Sequence, residues 1–226
     1  MKIVVIGASG ATGKDLLRVL LEDNKIGNVV ALVRKPMDIS HEKLTTIIIN
    51  FDDTQSWKNL VIGEVAISCL GTTKKDAGSQ AKQKIIDLDY PLAFATAAKT
   101  NNIPHFILLS SMGANSSSVF FYSRIKGMLE NEIIKMKFQQ TIILRPGLLK
   151  RKNTNRFGEK LMVKSLEAMN KIGLFVKYKP LPTSVLASIM SKFVLMKNNG
   201  LSIIESSEIW KIDSDSTNDF IKNNKI

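Results

Sequence analysis

A glycine-rich turn near the start of the chain restricts the possible folds more than any other feature. Residues 3–7 read Ile-Val-Val-Ile-Gly, a β-branched run that predicts a strand buried on both faces. The sequence continues Gly7-Ala8-Ser9-Gly10-Ala11-Thr12-Gly13. Leucines at helical spacing follow at Leu16, Leu17, Leu20 and Leu21 and predict a helix over 12–23. A strand, a glycine turn and a helix therefore open the chain.

The same alternation of strand and helix continues along the next hundred residues. Further apolar strands are predicted at 29–33, 46–49, 65–69, 106–109 and 141–144, with helices at 80–99 and 120–136. After residue 147 the pattern loosens into two helices at 159–172 and 183–196, a strand at 201–204 and a polar tail at 217–226. Short apolar strands separated by helices are typical of crossover units. We expect one α/β domain over 1–226, a doubly wound, mostly parallel sheet of Rossmann type with a small C-terminal helical cap.

Composition narrows the class of ligand and the compartment. The 226 residues carry 32 Lys and Arg against 20 Asp and Glu, a net charge of +12, which attracts polyanions. No nucleic-acid reading module or basic-aromatic platform accompanies that charge, so nucleic acid is not the expected partner. Apolar runs stay well below the roughly 18 residues of a membrane span, and no signal peptide is visible. The single cysteine, Cys69, has no partner for a disulfide and no metal-ligand cluster, so we expect a cytoplasmic protein without a metal.

The glycine turn predicts a dinucleotide cofactor. Gly7 permits the tight turn, Gly10 lets the backbone approach a pyrophosphate, and Gly13 allows the helix to pack closely on the strand. The N–H groups at the start of the helix, next to Ser9, Ala11 and Thr12, receive the anion. We therefore assign cofactor binding to residues 1–147 and the substrate side and tail to 148–226.

The end of the second strand indicates which dinucleotide is bound. An NAD-preferring site usually offers a carboxylate to the adenosine ribose there, whereas this chain offers Arg34 and Lys35. Two cations suit a 2′-phosphate, so we expect NADP(H) to be favoured over NAD(H); two solvated surface charges are the alternative. Asp52, just after the third strand, is a candidate for the adenine amino group or an ordinary loop aspartate.

A tyrosine and a lysine four residues apart form the candidate catalytic pair. Tyr122 and Lys126 lie in a predicted helix, and i, i+4 spacing places them on one face. An ammonium beside a phenol stabilises the phenolate and makes the hydroxyl a usable proton donor or acceptor. Ser110 and Ser111 close the fifth strand, at the sheet edge where open α/β proteins bind ligands. One serine hydroxyl is then able to hold a substrate carbonyl.

Together these motifs resemble the short-chain dehydrogenase/reductase superfamily. The runs Cys69-Leu70-Gly71-Thr72-Thr73, Asp87-Leu88-Asp89-Tyr90, Leu108-Leu109-Ser110-Ser111-Met112-Gly113-Ala114 and Leu144-Arg145-Pro146-Gly147 resemble its atypical branch, which contains the HIV Tat-interacting protein. The resemblance implies that Tyr122 is the general acid and base, that Lys126 holds the nicotinamide ribose, and that Ser111 orients the substrate. It also implies that Leu70, Gly71 and Thr72 line the cofactor with Ser110, and that Pro146 and Gly147 border the nicotinamide.

One departure from the superfamily pattern leaves the activity open. Many members carry a relay asparagine in the helix after the fourth strand, where the nearest candidates here are Asp87 and Asp89. We expect Asp87 to be an ordinary helix-surface acid, and the run Lys150-Arg151-Lys152 to be solvated rather than a clamp for an anion.

The resulting hypothesis is an NADP(H)-dependent oxidoreductase acting on a small carbonyl or alcohol. The alternatives are an NADPH-binding sensor that reports to a protein partner with little catalysis, and an NAD-dependent epimerase or dehydratase. A homodimer is a further expectation that the resemblance brings.

Overall fold

A computed structural model describes residues 1–151, 180–196 and 198–214, apart from the side chains of 213 and 214. The predicted helix at 159–172 and the polar tail at 217–226 lie outside these residues. The strands are β1 (Lys2–Ile6), β2 (Asn28–Val33), β3 (Leu44–Ile48), β4 (Val65–Ser68), β5 (His105–Leu109), β6 (Gln140–Arg145), β7 (Leu149–Lys150), β8 (Leu181–Pro182) and β9 (Gly200–Glu205). Seven of them form one parallel sheet in the order β3-β2-β1-β4-β5-β6-β9, and β7 and β8 pair separately.

The helices connect and cover these strands. They are α1 (Ala11–Glu22), α2 (Thr54–Trp57), α3 (Lys74–Ala77), α4 (Gln80–Lys84), α5 (Tyr90–Thr100), α6 (Phe121–Lys135), α7 (Thr183–Leu195) and α8 (Ser206–Ser214). A 3₁₀ turn, Lys58–Leu60, follows α2, and a π-helical turn, Ile85–Asp89, joins α4 to α5. No helix in the described part of the chain is long and apolar enough to cross a bilayer.

The strand order places the ligand-binding crevice. The chain leaves β1 toward β2 and β3 on one side and returns to β4, β5 and β6 on the other, so the order reverses between β1 and β4. Connections diverge at that point, and in open parallel sheets the crevice at the carboxyl ends of the strands binds the ligand. The turn after Ile6, the loop after Ser68 and the loop after Leu109 all emerge at that edge.

Two apolar layers hold the sheet. On one face, leucines of α1 pack with apolar side chains of α7 such as Met190 and Phe193. On the other face, Phe94 of α5 and Leu129 of α6 pack over Phe106. Burial on both faces explains why the central strands are continuous apolar runs rather than alternating ones.

The predicted α/β sheet is confirmed, with two local differences. The predicted helix over 80–99 is interrupted by the π-helical turn, which changes the direction of its side chains. The predicted helix at 183–196 is α7; it packs against α1 as part of the layer beneath the sheet instead of covering the crevice. The strand predicted at 201–204 is β9, which adds a seventh parallel strand beside β6.

Candidate cofactor and catalytic site

One side of the crevice is made of backbone, and we call residues 7–13 the glycine wall. Gly7 has a φ of 75°, and a Cβ there would lie 2.4 Å from the carbonyl carbon of Cys69. A Cβ on Gly13 would lie 2.2 Å from the carbonyl oxygen of Gly7, so α1 starts against the turn itself. Gly10 is the N-cap residue of α1 and makes no side-chain cap hydrogen bond. The first N–H groups of α1 therefore receive no hydrogen bond from the side chain of this residue. A helix start that binds an anion needs N–H groups of this kind.

The opposite side is made by one face of α6, where Tyr122 and Lys126 line the cleft and the buried Glu130 lies one turn further on; we call these three residues the helix wall. The three residues are spaced by four and so lie above one another along the helix. The Lys126 ammonium lies 6.0 Å from the centroid of the Tyr122 ring. Lys126 is 2% exposed, whereas Tyr122 is 38% exposed. The lysine is therefore locked in place while the phenol faces the crevice.

Asp87 is the partner that holds Lys126. Its carboxylate Oδ1 lies 3.3 Å from the lysine Nζ, and both side chains are buried. The backbone N–H of Thr72 donates to the same carboxylate at 3.1 Å. Burial raises the pKa of Asp87, while the positive charge of Lys126 and the Thr72 N–H act in the opposite direction. The expectation of a helix-surface acid is therefore wrong, because the π-helical turn directs Asp87 inward.

Two glycines allow these groups to approach one another. A Cβ on Gly71 would lie 3.0 Å from the Asp87 carboxylate. A Cβ on Gly127 would lie 2.2 Å from the backbone nitrogen of Ser116, so α6 rests directly on the loop that follows β5. This contact brings the helix wall up to the end of β5. The signal in the sequence was a glycine inside a predicted helix, directly after Lys126.

A second buried ionic group lies behind the strand ends. Ser110 donates a hydrogen bond to Glu130, which is 1% exposed. Arg145 Nε donates to both carboxylate oxygens of Glu130 at 3.1 and 3.2 Å, and its Nη1 donates to Glu205 of β9 at 2.7 Å. The hydrogen bond to Glu130 raises the pKa of Arg145. The Ser110 hydroxyl is thus engaged with Glu130.

A cleft of about 220 Å³ lies between the two walls. Its lining includes nine residues that the sequence predicted and four that it did not. The predicted nine are Gly10, Ala11, Thr12, Leu70, Gly71, Thr72, Ser110, Tyr122 and Lys126, and the other four are Cys69, Leu109, Leu149 and Arg151. Ser111, the predicted substrate-orienting serine, is not among these lining residues, and its hydroxyl donates to the carbonyl oxygen of Met112 at 3.4 Å. Arg151 is one of the lining residues, Lys150 is exposed, and Lys152 lies outside the described residues.

Pro146 and Gly147 follow β6 and are tied to neighbouring segments. The N–H of Met112 donates to the Pro146 carbonyl at 2.9 Å, and the N–H of Gly147 donates to the hydroxyl of Ser206 at 3.2 Å. The turn after β6 is therefore fixed both to the serine loop and to α8.

The far end of the crevice contains the predicted adenosine contacts. Arg34 and Lys35 are exposed directly after β2. Tyr90 donates to the Asp52 carboxylate at 2.6 Å, and its ring lies 5.1 Å from the ring of Phe51. Burial, followed by the hydrogen bond to Asp52, raises the pKa of Tyr90 to about 12, and the positive charge of Arg34 opposes this. Asp52 is therefore held in place by an aromatic neighbour that the sequence motifs did not indicate as a partner.

A larger hollow of about 440 Å³ opens at the opposite edge of the sheet. His105 and Gln140, the first residues of β5 and β6, line it. Burial lowers the pKa of His105 to about 4, so its ring is neutral at physiological pH. None of the predicted site residues reaches this hollow. The site is therefore assigned from the chemistry of the walls and not from the size of the cavity.

The crevice fits a dinucleotide by an observation independent of any relative. The glycine wall has no room for side chains at Gly7 and Gly13, and the first turn of α1 carries no acidic residue. A pyrophosphate requires this combination of close backbone approach, outward N–H groups and no negative charge.

Comparisons with known proteins agree with that fit. A family model described as NAD(P)H-binding matches residues 7–170. The chain is 30% identical to the rat protein HTATIP2 over 219 residues, which is 95% of this chain and 90% of that protein. It is 39% identical over 154 residues to mitochondrial protein FMP52 of Debaryomyces hansenii, covering 66% of this chain and 67% of the relative.

A solved structure shows the same fold at low sequence identity. UDP-glucose 4-epimerase of Thermotoga maritima superposes with a TM-score of 0.70 at 12% identity, covering 95% of this chain and 82% of the epimerase. At that identity the likeness concerns the fold alone.

The relatives correct one expectation. Several FMP52 proteins of yeasts, including those of Debaryomyces hansenii and Saccharomyces cerevisiae, are named mitochondrial. The expectation of a cytoplasmic protein is therefore contradicted. The number of cysteines, on which it rested, distinguishes oxidising from reducing compartments and carries no information about organelles.

Proposed function

The chain belongs to the NAD(P)H-binding family and has the oxidoreductase-like fold of the atypical short-chain dehydrogenase kind, and on that premise we propose that it is an NADP(H)-dependent oxidoreductase acting on a small carbonyl or alcohol. The observation that carries the proposal is the helix wall: an exposed phenol, Tyr122, stands beside a buried ammonium, Lys126, in the cleft that the glycine wall closes on the other side.

The proposed roles follow from the contacts of each side chain. Tyr122 delivers the proton to the carbonyl oxygen during reduction and removes it during oxidation. Lys126 is held in one position by Asp87 and keeps the phenol and the nicotinamide ribose in place. Ser111 donates a hydrogen bond to the same carbonyl oxygen. When bound, the nicotinamide supplies or accepts the hydride. Residues 148–226 are proposed to contribute the substrate side, beginning with Leu149 and Arg151 at the cleft.

The test of catalysis is a panel of small carbonyl compounds with NADPH. We expect Tyr122→Phe to lower turnover by about 10²- to 10⁴-fold and to leave NADPH affinity and the thermal midpoint close to those of the wild type. Ser111→Ala is expected to reduce turnover in the same way. Unchanged turnover in Tyr122→Phe contradicts the proposed mechanism.

The preference for NADP(H) is supported by the exposed cations after β2. Arg34 lies close enough to Tyr90 to act on its ionisation, which puts a positive charge at the predicted adenosine end. We propose that Arg34 and Lys35 pair with the 2′-phosphate. Titration with NADPH, NADP⁺, NADH and NAD⁺ tests this pairing. Arg34→Asp is expected to weaken NADPH binding by about tenfold or more and NADH binding little. Lys25→Asp, the same charge change just before β2, is the matched control and leaves both affinities unchanged.

A second candidate function is an NADPH sensor that binds a protein partner. The observation in its favour is that a carboxylate occupies the position where many members of the superfamily carry the relay asparagine, and that this carboxylate engages Lys126. A sensor predicts tight NADPH binding, no turnover across the carbonyl panel, and a partner whose affinity changes with NADPH. An NAD-dependent epimerase or dehydratase, the third hypothesis, instead predicts tight NAD⁺ binding that Arg34→Asp does not weaken.

A further inference from the structure

The Asp87–Lys126 pair differs in charge from the arrangement that an asparagine creates. Both side chains are buried, at 0% and 2% exposure, and their charged atoms lie 3.3 Å apart. An amide at position 87 accepts the Thr72 N–H equally well but carries no charge, so Lys126 then acts on its surroundings as a full positive charge. A carboxylate at 87 makes the pair neutral as a whole.

The groups around this pair come from four segments. Asp87 contacts Lys126 from the π-helical turn. Tyr122 lies next to Lys126 on the same helix, and Cys69 lies near it from the end of β4. Arg151 lines the same cleft from the segment after β7. Asp87 also accepts hydrogen bonds from Thr72 and Gln83. Within the described residues, Asp87 is the acidic side chain that pairs with Lys126. Glu130, one turn further along α6, pairs with Arg145 instead.

We infer that Asp87 is a positioning residue that neutralises Lys126 and thereby raises the pH at which Tyr122 exchanges its proton. The inference rests on the proposed roles of Tyr122 and Lys126. With the carboxylate in place, the lysine orients the phenol without the full electrostatic assistance of an unpaired ammonium. Removal of the Asp87 charge restores that assistance and moves the ionisation of Tyr122 to lower pH.

The test follows tyrosinate absorbance against pH, a readout that needs no substrate. Subtracting the titration of Tyr122→Phe isolates Tyr122 from the other two tyrosines of the chain. Asp87→Asn keeps the size of the side chain and its acceptor for Thr72, and it is expected to lower the midpoint by about one pH unit or more. An unchanged or higher midpoint overturns the inference.

Asp89→Asn is the matched control, two residues along the same turn. Asp89 pairs with Lys84 at 2.7 Å, and its side chain is 42% exposed. The substitution removes the same charge from the same segment without touching Lys126. We expect its tyrosinate midpoint to equal that of the wild type. An equal shift in both variants reports net charge alone and overturns the inference.

A double variant keeps the inference testable if Asp87→Asn does not fold. Asp87→Asn with Lys126→Met leaves no buried charge unpaired, and its Tyr122 midpoint is expected near that of the wild type, because the native pair is already neutral. A much higher midpoint means that Lys126 acts unopposed in the native protein, which overturns the inference.

Turnover separates this inference from the proposed function. Where the wild type reduces carbonyls, the rate of Asp87→Asn in the oxidation direction is expected to reach half its maximum at lower pH. Absence of turnover in every variant rejects the proposed function, while the tyrosinate titration still decides the role of Asp87. If Tyr122→Phe loses turnover and Asp87→Asn leaves the midpoint of the tyrosinate titration unchanged, only the inference is rejected.

Discussion

The glycine wall and the helix wall face each other across one cleft but are built from different materials. The glycine wall excludes side chains: Cβ atoms at Gly7 and Gly13 would meet backbone atoms at 2.4 and 2.2 Å. The helix wall depends on side chains, and two of its members, Lys126 and Glu130, are buried charges with partners on other elements. The first wall offers N–H groups to an anion, and the second positions groups that move a proton.

This difference decides how each wall fails. The backbone packing of the glycine wall is lost through steric conflict when a methyl group is added at Gly7 or Gly13. A buried ion pair is lost through an unpaired charge, so removal of one partner is much more harmful than removal of both. We therefore expect the helix wall to be disrupted by a substitution that removes a charge and keeps the size of the side chain. We expect the glycine wall to be disrupted by a substitution that adds size and leaves the charge unchanged.

Cys69, on the floor between the walls, provides the largest expected effect. Burial raises the pKa of its thiol from 9.0 to about 12, and the positive charge of Lys126 opposes this. At pH 8 the folded protein then carries about a thousandfold less thiolate than the unfolded chain. Alkylation by a small reagent is expected to be much slower in the folded protein, with the same protein in denaturant as reference.

The same thiol reports the charge of the helix wall. Asp87→Asn leaves Lys126 unopposed and is expected to accelerate alkylation of Cys69, whereas Asp89→Asn is not. Equal rates in the folded and unfolded wild type contradict the first expectation. Equal rates in the two variants contradict the second.

The second largest effect is expected at Glu130. Glu130→Gln keeps the shape but removes the charge that Arg145 and Ser110 face. Breaking a buried pair costs about 3–5 kcal/mol, and the lower end applies because Arg145 keeps Glu205. Denaturant unfolding measures the loss. Glu132→Gln, an exposed member of an i, i+3 pair on the same helix, is the control and costs less than about 1 kcal/mol. Equal losses would mean that the buried group contributes no more than surface charge.

The sequence predicted the glycine wall in full and the helix wall in part, for a physical reason. A backbone site is local: Gly7, Gly10 and Gly13 are adjacent in the chain, and their spacing contains the geometry. Tyr122 and Lys126 are equally local, and their i, i+4 spacing predicted a shared face. Their partners are distant in sequence, and Asp87 turns inward only because a π-helical turn adds a residue to the helix.

Residues around Glu130 illustrate the same limit. Position 130 continues the i, i+4 series of the helix wall, yet its partner Arg145 is 15 residues away, and Glu205, the second partner of Arg145, lies another 60 residues along the chain. Strand pairing between β6 and β9 brings them together, and Arg145 lies directly opposite Glu205 in that register. Periodicity in a single segment contains no record of such a pairing.

The glycine wall is expected to fail when a side chain is enlarged at Gly13. Gly13→Ala adds one methyl group where backbone atoms lie 2.2 and 2.8 Å away. Overpacking of this kind costs about 1–3 kcal/mol, and the shifted turn is expected to abolish NADPH binding as well. Denaturant unfolding and an NADPH titration measure both effects. Gly27→Ala, where the nearest atom is 3.7 Å away, is the matched control and leaves both unchanged. Retained NADPH affinity in Gly13→Ala contradicts the view that close backbone approach forms this wall.

The smallest effect concerns the support beneath the glycine wall. Thr183 of α7 donates a hydrogen bond to Asp15 of α1 at 2.7 Å, and both residues are buried. Thr183→Val removes the donor at nearly constant size and is expected to cost about 1 kcal/mol in the free energy of unfolding. Thr96→Val, which removes only a bond to the Leu92 carbonyl within α5, is the control and costs less. NADPH affinity should stay unchanged in both, because the position of α1 is set by the contact of Gly13 with the turn. A Thr183→Val variant that lost NADPH binding would show instead that α7 positions the glycine wall, and the two walls would then share a dependence on distant partners.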